Sequence, residues 1–351
     1  TGGNVTVTED SATRLDGVIA AGLTLTSAGA VTQTAAVAVT GTAAFDSGAS
    51  AITLTRADNL LVTVTVGSAG AVTLVDADGY SLGACAVSGN FDASSAAGDI
   101  VAAGVLTSGA GNVLLHPAGD LYVTGSIAST TGTITLDPAD AGAAVIYLNS
   151  PASPVVTSGG AGASVTFGDP VALLQDAVVG TAAVTQGAVS FQSTVDGSRV
   201  LTVNTSGQTT FAAAVGGVTP LASLATDSGG ATAVNGGAVT TTGGQSYGDA
   251  VTLGVDTILG GAGISLAASL DSAGAARALL VNDSGATVFG GAVGSVLELA
   301  SLATNAGGST AINGGAVTTS GSQTYGDPVT IGAAAALASA TGNVLFGGAV
   351  D

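Results

Sequence analysis

The chain has 351 residues, 46% of them apolar and only 3% aromatic, with 56 Gly and neither Met nor Trp. That leaves ample material for a core and speaks against disorder, but Ala, Val and Leu would fill a thick core poorly, so a thin one is expected. Charge is scarce and one-sided: four Arg, no Lys and 23 acidic residues give a formal net charge of −19, and Arg14, Arg56, Arg199 and Arg277 stand too far apart to neutralise a phosphate backbone, which excludes nucleic acid as a partner.

From the N-terminal side, residues 1–155 read as irregular coils of short strands. Leu23-Thr24-Leu25-Thr26, Ile52-Thr53-Leu54-Thr55, Val62-Thr63-Val64-Thr65, Val72-Thr73-Leu74 and Ile134-Thr135-Leu136 alternate apolar and polar residues with a period of two. Such segments place Val, Leu and Ile on one buried face and Thr on the other. Gly, Ser, Asn or Asp separates nearly all of them. No apolar run is long enough for a membrane span, and no signal peptide opens the chain, so any export signal is expected outside it.

Asp76-Ala77-Asp78-Gly79 opens like a calcium loop, but residues 80–87 supply no further acidic ligand. Asp76 and Asp78 are therefore weak cation candidates at a turn, and no metal or cofactor is expected. The lone Cys85 rules out an internal disulfide and reads as a small buried hydrophobe. His116 is the one imidazole, so no histidine-based triad or multi-histidine metal site can be assembled from this chain.

Residues 156–351 repeat themselves. Thr209–Gly254 aligns without a gap to Thr287–Gly332, with 31 of 46 positions identical. Tyr247-Gly248-Asp249 falls on Tyr325-Gly326-Asp327, and Phe167-Gly168-Asp169 stands upstream of both as part of a third copy. These read as corners in which Gly takes a positive φ, Asp caps its own backbone and the aromatic ring packs alongside. Asn235-Gly236-Gly237 and Asn313-Gly314-Gly315 read as tight turns. Arg199 and Arg277, shortly after Asp196 and Asp271, suggest surface ion pairs. Val344 to Asp351 repeats a place inside the unit, so the chain is expected to be an interior piece of a longer polymer, covalent or assembled.

Tandem copies decide among the all-β architectures, because a solenoid grows by stacking units that contact only their neighbours. The expected fold is a parallel β-solenoid in which four coils of about 20 residues make one 78-residue repeat. The phrases LTLTSAGAVTQTAAVAVTGTAAF (23–45), AITLTRADN (51–59), AVTLVDADGYSLGACAVSGNF (71–91) and AVTTTGGQSYGDAVTLG (238–254) resemble repeats of filamentous haemagglutinin-like bacterial surface adhesins exported by two-partner secretion or autotransport. The resemblance implies a right-handed parallel β-helix at the bacterial cell surface, a stalk or fibre with roles in adhesion or biofilm, self-association end to end or laterally, and contacts with surface glycans or other cells. A subunit of a self-assembling extracellular filament or sheath is the alternative. A polysaccharide-active β-helix enzyme would need carboxylates joined by cations and aromatic sugar platforms, which the composition withholds, and a flat ice-binding face would need regular Thr-x-Thr ranks. The chain is expected not to be an enzyme.

Overall fold

The computed structural model describes residues 2–138, 144–160, 162–181, 187–332 and 334–351. Among them there is no helix; every paired strand is parallel, and the chain winds as a β-solenoid with about 21 residues per turn. The chain divides into two compact units, Thr1–Gly187 and Ala188–Asp351.

Each turn of the first unit carries strands on three faces. One inward column runs Leu25, Phe45, Val66, Cys85, Leu106, Ile127, Val156 and Val179, one residue per coil and all buried. A second runs Ala93, Leu115, Leu136 and Phe167. Between Val37 and Val87 the strands Val37–Asp46, Leu60–Ala69 and Tyr80–Val87 are long enough to serve two faces, and each pairing among them shifts register where the strand turns the corner. Such bulges bend a sheet without breaking its ladder.

In the second unit the three faces are filled in strict rotation. Face one holds Ala188–Phe191, Gln208–Phe211, Ala231–Val234, Ala250–Leu253 and Leu270–Ser272, and continues through Val293 to Val317. Face two holds Val195, Val215, Ala238–Thr240, Thr257–Gly261, Ala278–Asp283, Ser301–Thr304 and Gln323–Tyr325. Face three holds Val200–Asn204, Ser223–Thr226, Gln245–Tyr247, Ile264–Leu266, Ala286–Phe289, Ser309–Ile312 and Val329–Ile331.

This rotation corrects the expectation of four whole coils per repeat. Tyr247 lies on face three and its copy Tyr325 on face two; Thr232 lies on face one and Thr310 on face three; Val239 lies on face two and Val317 on face one. Each copy therefore stands three turns and two-thirds beyond its original. Because each face presents the next coil with the same backbone ladder, a copied segment need not return to the face it came from.

Alternation along single strands sets what is buried. In Ala250–Leu253, Val251 and Leu253 point inward and Thr252 outward. Leu253→Ala should cost about 2–5 kcal/mol by lost transfer energy and an unfilled cavity, whereas Thr252→Ala should stay within about 0.5 kcal/mol. Urea unfolding of both variants measures the contrast, and equal costs would contradict the assigned faces.

Candidate functional site

The repeated Gly-Asp corners bury their carboxylates. Asp169, Asp249 and Asp327 all lie inside the solenoid. The Oδ1 atom of Asp249 accepts hydrogen bonds from the hydroxyls of Thr232 (2.8 Å) and Thr226 (3.3 Å). That of Asp327 accepts from the amides of Gly307 and Gly308, both at 2.8 Å. These donors belong to the preceding coil, so the Asp ties coil to coil where the sequence suggested that it capped its own turn. Burial pushes the Asp249 carboxyl above its ordinary pKa, against the pull of the Thr232 and Thr226 hydroxyls.

Gly168, Gly248 and Gly326 are absent from the glycines with positive φ, which corrects the expected corner geometry. At two of them the need for Gly comes from the neighbouring coil's backbone: a Cβ on Gly248 would stand 2.7 Å from the Asp227 carbonyl and one on Gly326 2.6 Å from that of Asn305, whereas one on Gly168 would meet only the side-chain carboxylate of Asp137. Gly237 and Gly315 do take positive φ, 76° and 77°. The exposed side chains of Asn235 and Asn313 lie over Gly254 and Gly332 one coil on, where a Cβ would stand 2.2 and 2.1 Å away.

Beside the corners at Asp249 and Asp327 sits a buried amide network that sequence reading did not single out. Gln245 Nε2 donates to the Val239 carbonyl (3.1 Å) and the Gly260 carbonyl (2.8 Å), while Gln245 Oε1 accepts the Tyr247 hydroxyl at 3.0 Å. The second copy reproduces this with Gln323 on Val317 and Ala338 at 3.1 and 2.8 Å and with Tyr325 at 3.0 Å. Recurrence of Gln-x-Tyr-Gly-Asp was the available signal. In the first unit, Ser108, Ser129 and Ser158 form a buried ladder, each hydroxyl reaching a carbonyl of a turn, Gly111 for the first two and Gly132 for the third. Buried Asn59 accepts from Gln33 Nε2 (2.7 Å) and from the Val37 amide (2.9 Å). No sequence pattern marked Asn59.

Asp76 and Asp78 do not converge. Asp76 is buried, and its oxygens accept the amides of Leu61 (2.7 Å), Asp78 and Gly79 (both 3.1 Å), while Asp78 is exposed. Asp196 and Asp271 likewise spend a carboxylate oxygen on loop amides, those of Val218 and Thr219 and that of Val296, and form no ion pair with Arg199 or Arg277. His116 pairs with Asp92 on the neighbouring coil at 2.7 Å. Cys85 is a buried thiol, its pKa pushed up to about 12 by desolvation, so it is no nucleophile at neutral pH.

Two features lie on the outer surface of the first unit. A shallow open depression of about 620 Å³ lies over the bulged strands, lined by Thr24, Thr26, Ala44, Asp46, Thr65 and Ala84 among others. Tyr122 and Tyr147, on adjacent coils, stack with ring centroids 4.6 Å apart and planes 10° from parallel. Sequence reasoning missed this pair because a whole coil of chain separates the two tyrosines; the signal was Leu121-Tyr122-Val123 and Ile146-Tyr147-Leu148, each with Tyr between two inward residues.

The two kinds of glycine respond differently to one replacement. Gly237→Asn keeps a residue that tolerates the left-handed region and should cost under about 1 kcal/mol, whereas Gly248→Asn forces two backbones apart and should cost about 1–3 kcal/mol or more. Thermal unfolding of the pair decides whether positive φ or close approach governs each position. Asp76 supplies a pH test: burial, with a smaller contribution from the Asp78 charge, pushes its pKa up to about 6 from 3.8. The raised value means that its stabilisation is full below about pH 4 and is lost as pH rises through about 6. The difference in melting temperature between the protein and its Asp76→Asn variant should therefore change across that window and be flat above it.

Among known families, a family described as repeats of unknown function (DUF5649) matches residues 2–67 and 69–124. No curated protein and no solved structure matches the chain. The chain is thus a repeat-containing β-solenoid whose first third is similar to that family of repeats.

Proposed function

We propose that this chain is a structural and adhesive stalk or fibre segment of a large secreted bacterial surface protein, of the kind its phrasing resembles, working outside the cell and carrying no catalytic centre. One observation carries the reading: what the repeat copies is what holds coils together. Thr226, Thr232, Thr241, Gln245, Tyr247 and Asp249 all recur in the second copy, and all six and their counterparts are buried. Outward positions differ more often, as at Thr210 and Val288, Ser246 and Thr324, or Ala250 and Pro328, although the exposed Asn235 and Val218 recur as Asn313 and Val296. Selection on a catalytic groove would be expected to leave the opposite imprint, with convergent polar groups outside and freedom within. The buried carboxylates of Asp76, Asp249 and Asp327 each engage an amide or hydroxyl of an adjacent coil through one oxygen.

A second reading, the subunit of a self-assembling filament or sheath, draws on the loop apices. Val218 and Val296 hold equivalent places in the two repeats and are 86% and 88% exposed. The loop of Val218 leaves face two and that of Val296 leaves face one, so apolar contacts are offered in two directions, as lateral packing into a sheath would use.

A stalk must survive outside the cell. Elastase-type proteases cut after small apolar residues, which abound here, yet the folded solenoid should persist in their presence and be degraded only in urea, and no neutral or acidic polysaccharide should be turned over. Rapid cleavage of the folded chain, or a lyase or hydrolase activity abolished by changing one Asp, would overturn the proposal.

A further inference from the structure

The aromatic residues of this chain are few, and those that stack are mostly interior: Phe191 on Phe211 with centroids 5.4 Å apart, both fully buried, and Tyr325, also buried, on Phe346. Of the five tyrosines, Tyr80, Tyr247 and Tyr325 are buried. Tyr122 and Tyr147 are half-buried and stand on the outer surface of the sheet, each between two inward residues of its strand.

Their ladder continues as Val101, Tyr122, Tyr147 and Ala172, one residue per coil. Coils are about 4.8 Å apart, and the two rings are 4.6 Å apart and nearly parallel, so the ring planes lie across the stacking direction. The rung after Tyr147 is a methyl group. The stack of rings therefore ends in a step, where the ladder carries the Ala172 methyl in place of a third ring.

Polar groups flank the tyrosine stack. Beyond one end of the strands, Asp120 Oδ2 accepts the Tyr122 hydroxyl at 3.4 Å, and Asp120 Oδ1 accepts the Val145 amide at 2.9 Å; Asp99 Oδ1 accepts the Asp120 amide at 2.8 Å. Beyond the other end, Gln175 Nε2 donates to Asn149 Oδ1 at 3.3 Å on the exposed surface, which leaves an amide donor on Asn149 and a carbonyl acceptor on Gln175.

We propose that the step formed by Tyr147 and Ala172 binds one neutral sugar ring of an extracellular glycan, the ring stacking on Tyr147 and its hydroxyls pairing with the Asn149 and Gln175 amides. A pyranose offers an apolar C–H face to an aromatic ring and hydroxyls at its rim, which matches the Tyr147 ring with the Asn149 and Gln175 amides on its own and the next coil. A nucleotide or a uronate would bring negative charge to a chain of net charge −19. This goes beyond the stalk reading, which stands or falls by protease resistance and absence of turnover whether or not a sugar binds.

The test uses the full chain and an array of neutral gluco-, galacto-, manno- and N-acetylhexosamine oligosaccharides, with acidic oligosaccharides as the contrast. With no Trp present, the five tyrosines give the fluorescence, and its change in the protein that is lost in Tyr147→Ala reports on the half-buried pair. Saturable binding to a neutral oligosaccharide is expected, weakened about ten-fold or more in Tyr147→Ala. Ala172→Tyr extends the aromatic stack into the step, removes no existing ring and should abolish binding while leaving the melting temperature unchanged or raised. No saturable binding across the array, preference for the acidic sugars, or binding that survives Ala172→Tyr would overturn the proposal.

Discussion

Parallel coils joined by backbone hydrogen bonds stand about 4.8 Å apart, and that spacing governs nearly every residue choice in this chain. It is too close for a side chain wherever the path of one coil leans onto the next, as at Gly248 over Asp227 and Gly326 over Asn305. It is also the distance at which like stacks on like, whether the rungs are Ser108, Ser129 and Ser158, the pair Phe191 and Phe211, or the outward tyrosines. A narrow interior filled with Val, Leu, Ile and Ala follows, because each coil contributes only a few inward positions per face and each must fit between its own copies above and below.

The same spacing explains how polar residues are accommodated inside so thin a core. An unpaired buried amide costs about 1–3 kcal/mol, and a charged carboxylate more. Here most such groups find partners in backbone groups of an adjacent coil: Gln245 on the Gly260 carbonyl, Gln323 on the Ala338 carbonyl, Asp327 on the Gly307 and Gly308 amides. Backbone is the one feature that does not vary from face to face. A network that relies on it works equally well on face three, where Gln245 lies, and on face two, where Gln323 lies. This is the physical reason that a repeat of three turns and two-thirds is tolerated: the unit carries its own corner chemistry and asks of its neighbours only a carbonyl or an amide at the ladder spacing.

Strand alternation, the thin core and the solenoid were legible in the sequence because period-two patterning and tandem copies are local signals. The phase of the repeat was not, since coil length is set by pairing register and not by the copied unit. Positions of the corner glycines were legible, but their cause was misassigned, for close approach to a residue one coil away leaves no mark in the neighbouring sequence, whereas Gly237 follows closely on an Asn and advertises its turn. Asp196 and Asp271 suggested ion pairs by nearness to Arg199 and Arg277, yet backbone amides of the loops at Val218 and Val296 reach them instead. Tyr122 and Tyr147 were invisible as a pair for the same reason as the glycine contacts: only the turn length brings them together.

A repeat that advances by two-thirds of a turn distributes its outward residues around the solenoid, so equivalent surface positions of successive copies never form a rank on one face. Val218 and Val296 illustrate this, leaving faces two and one. Surface functions that depend on flat periodic arrays are disfavoured by that geometry, and functions that depend on multiplicity in several directions, such as lateral packing, are favoured. A specific binding site must then arise locally from neighbouring coils that happen to present complementary groups. The tyrosine stack in the first unit, outside the tandem copies and ending on Ala172, is such a local departure: the interior rules of the ladder hold, and one outward rung has been enlarged twice and then omitted.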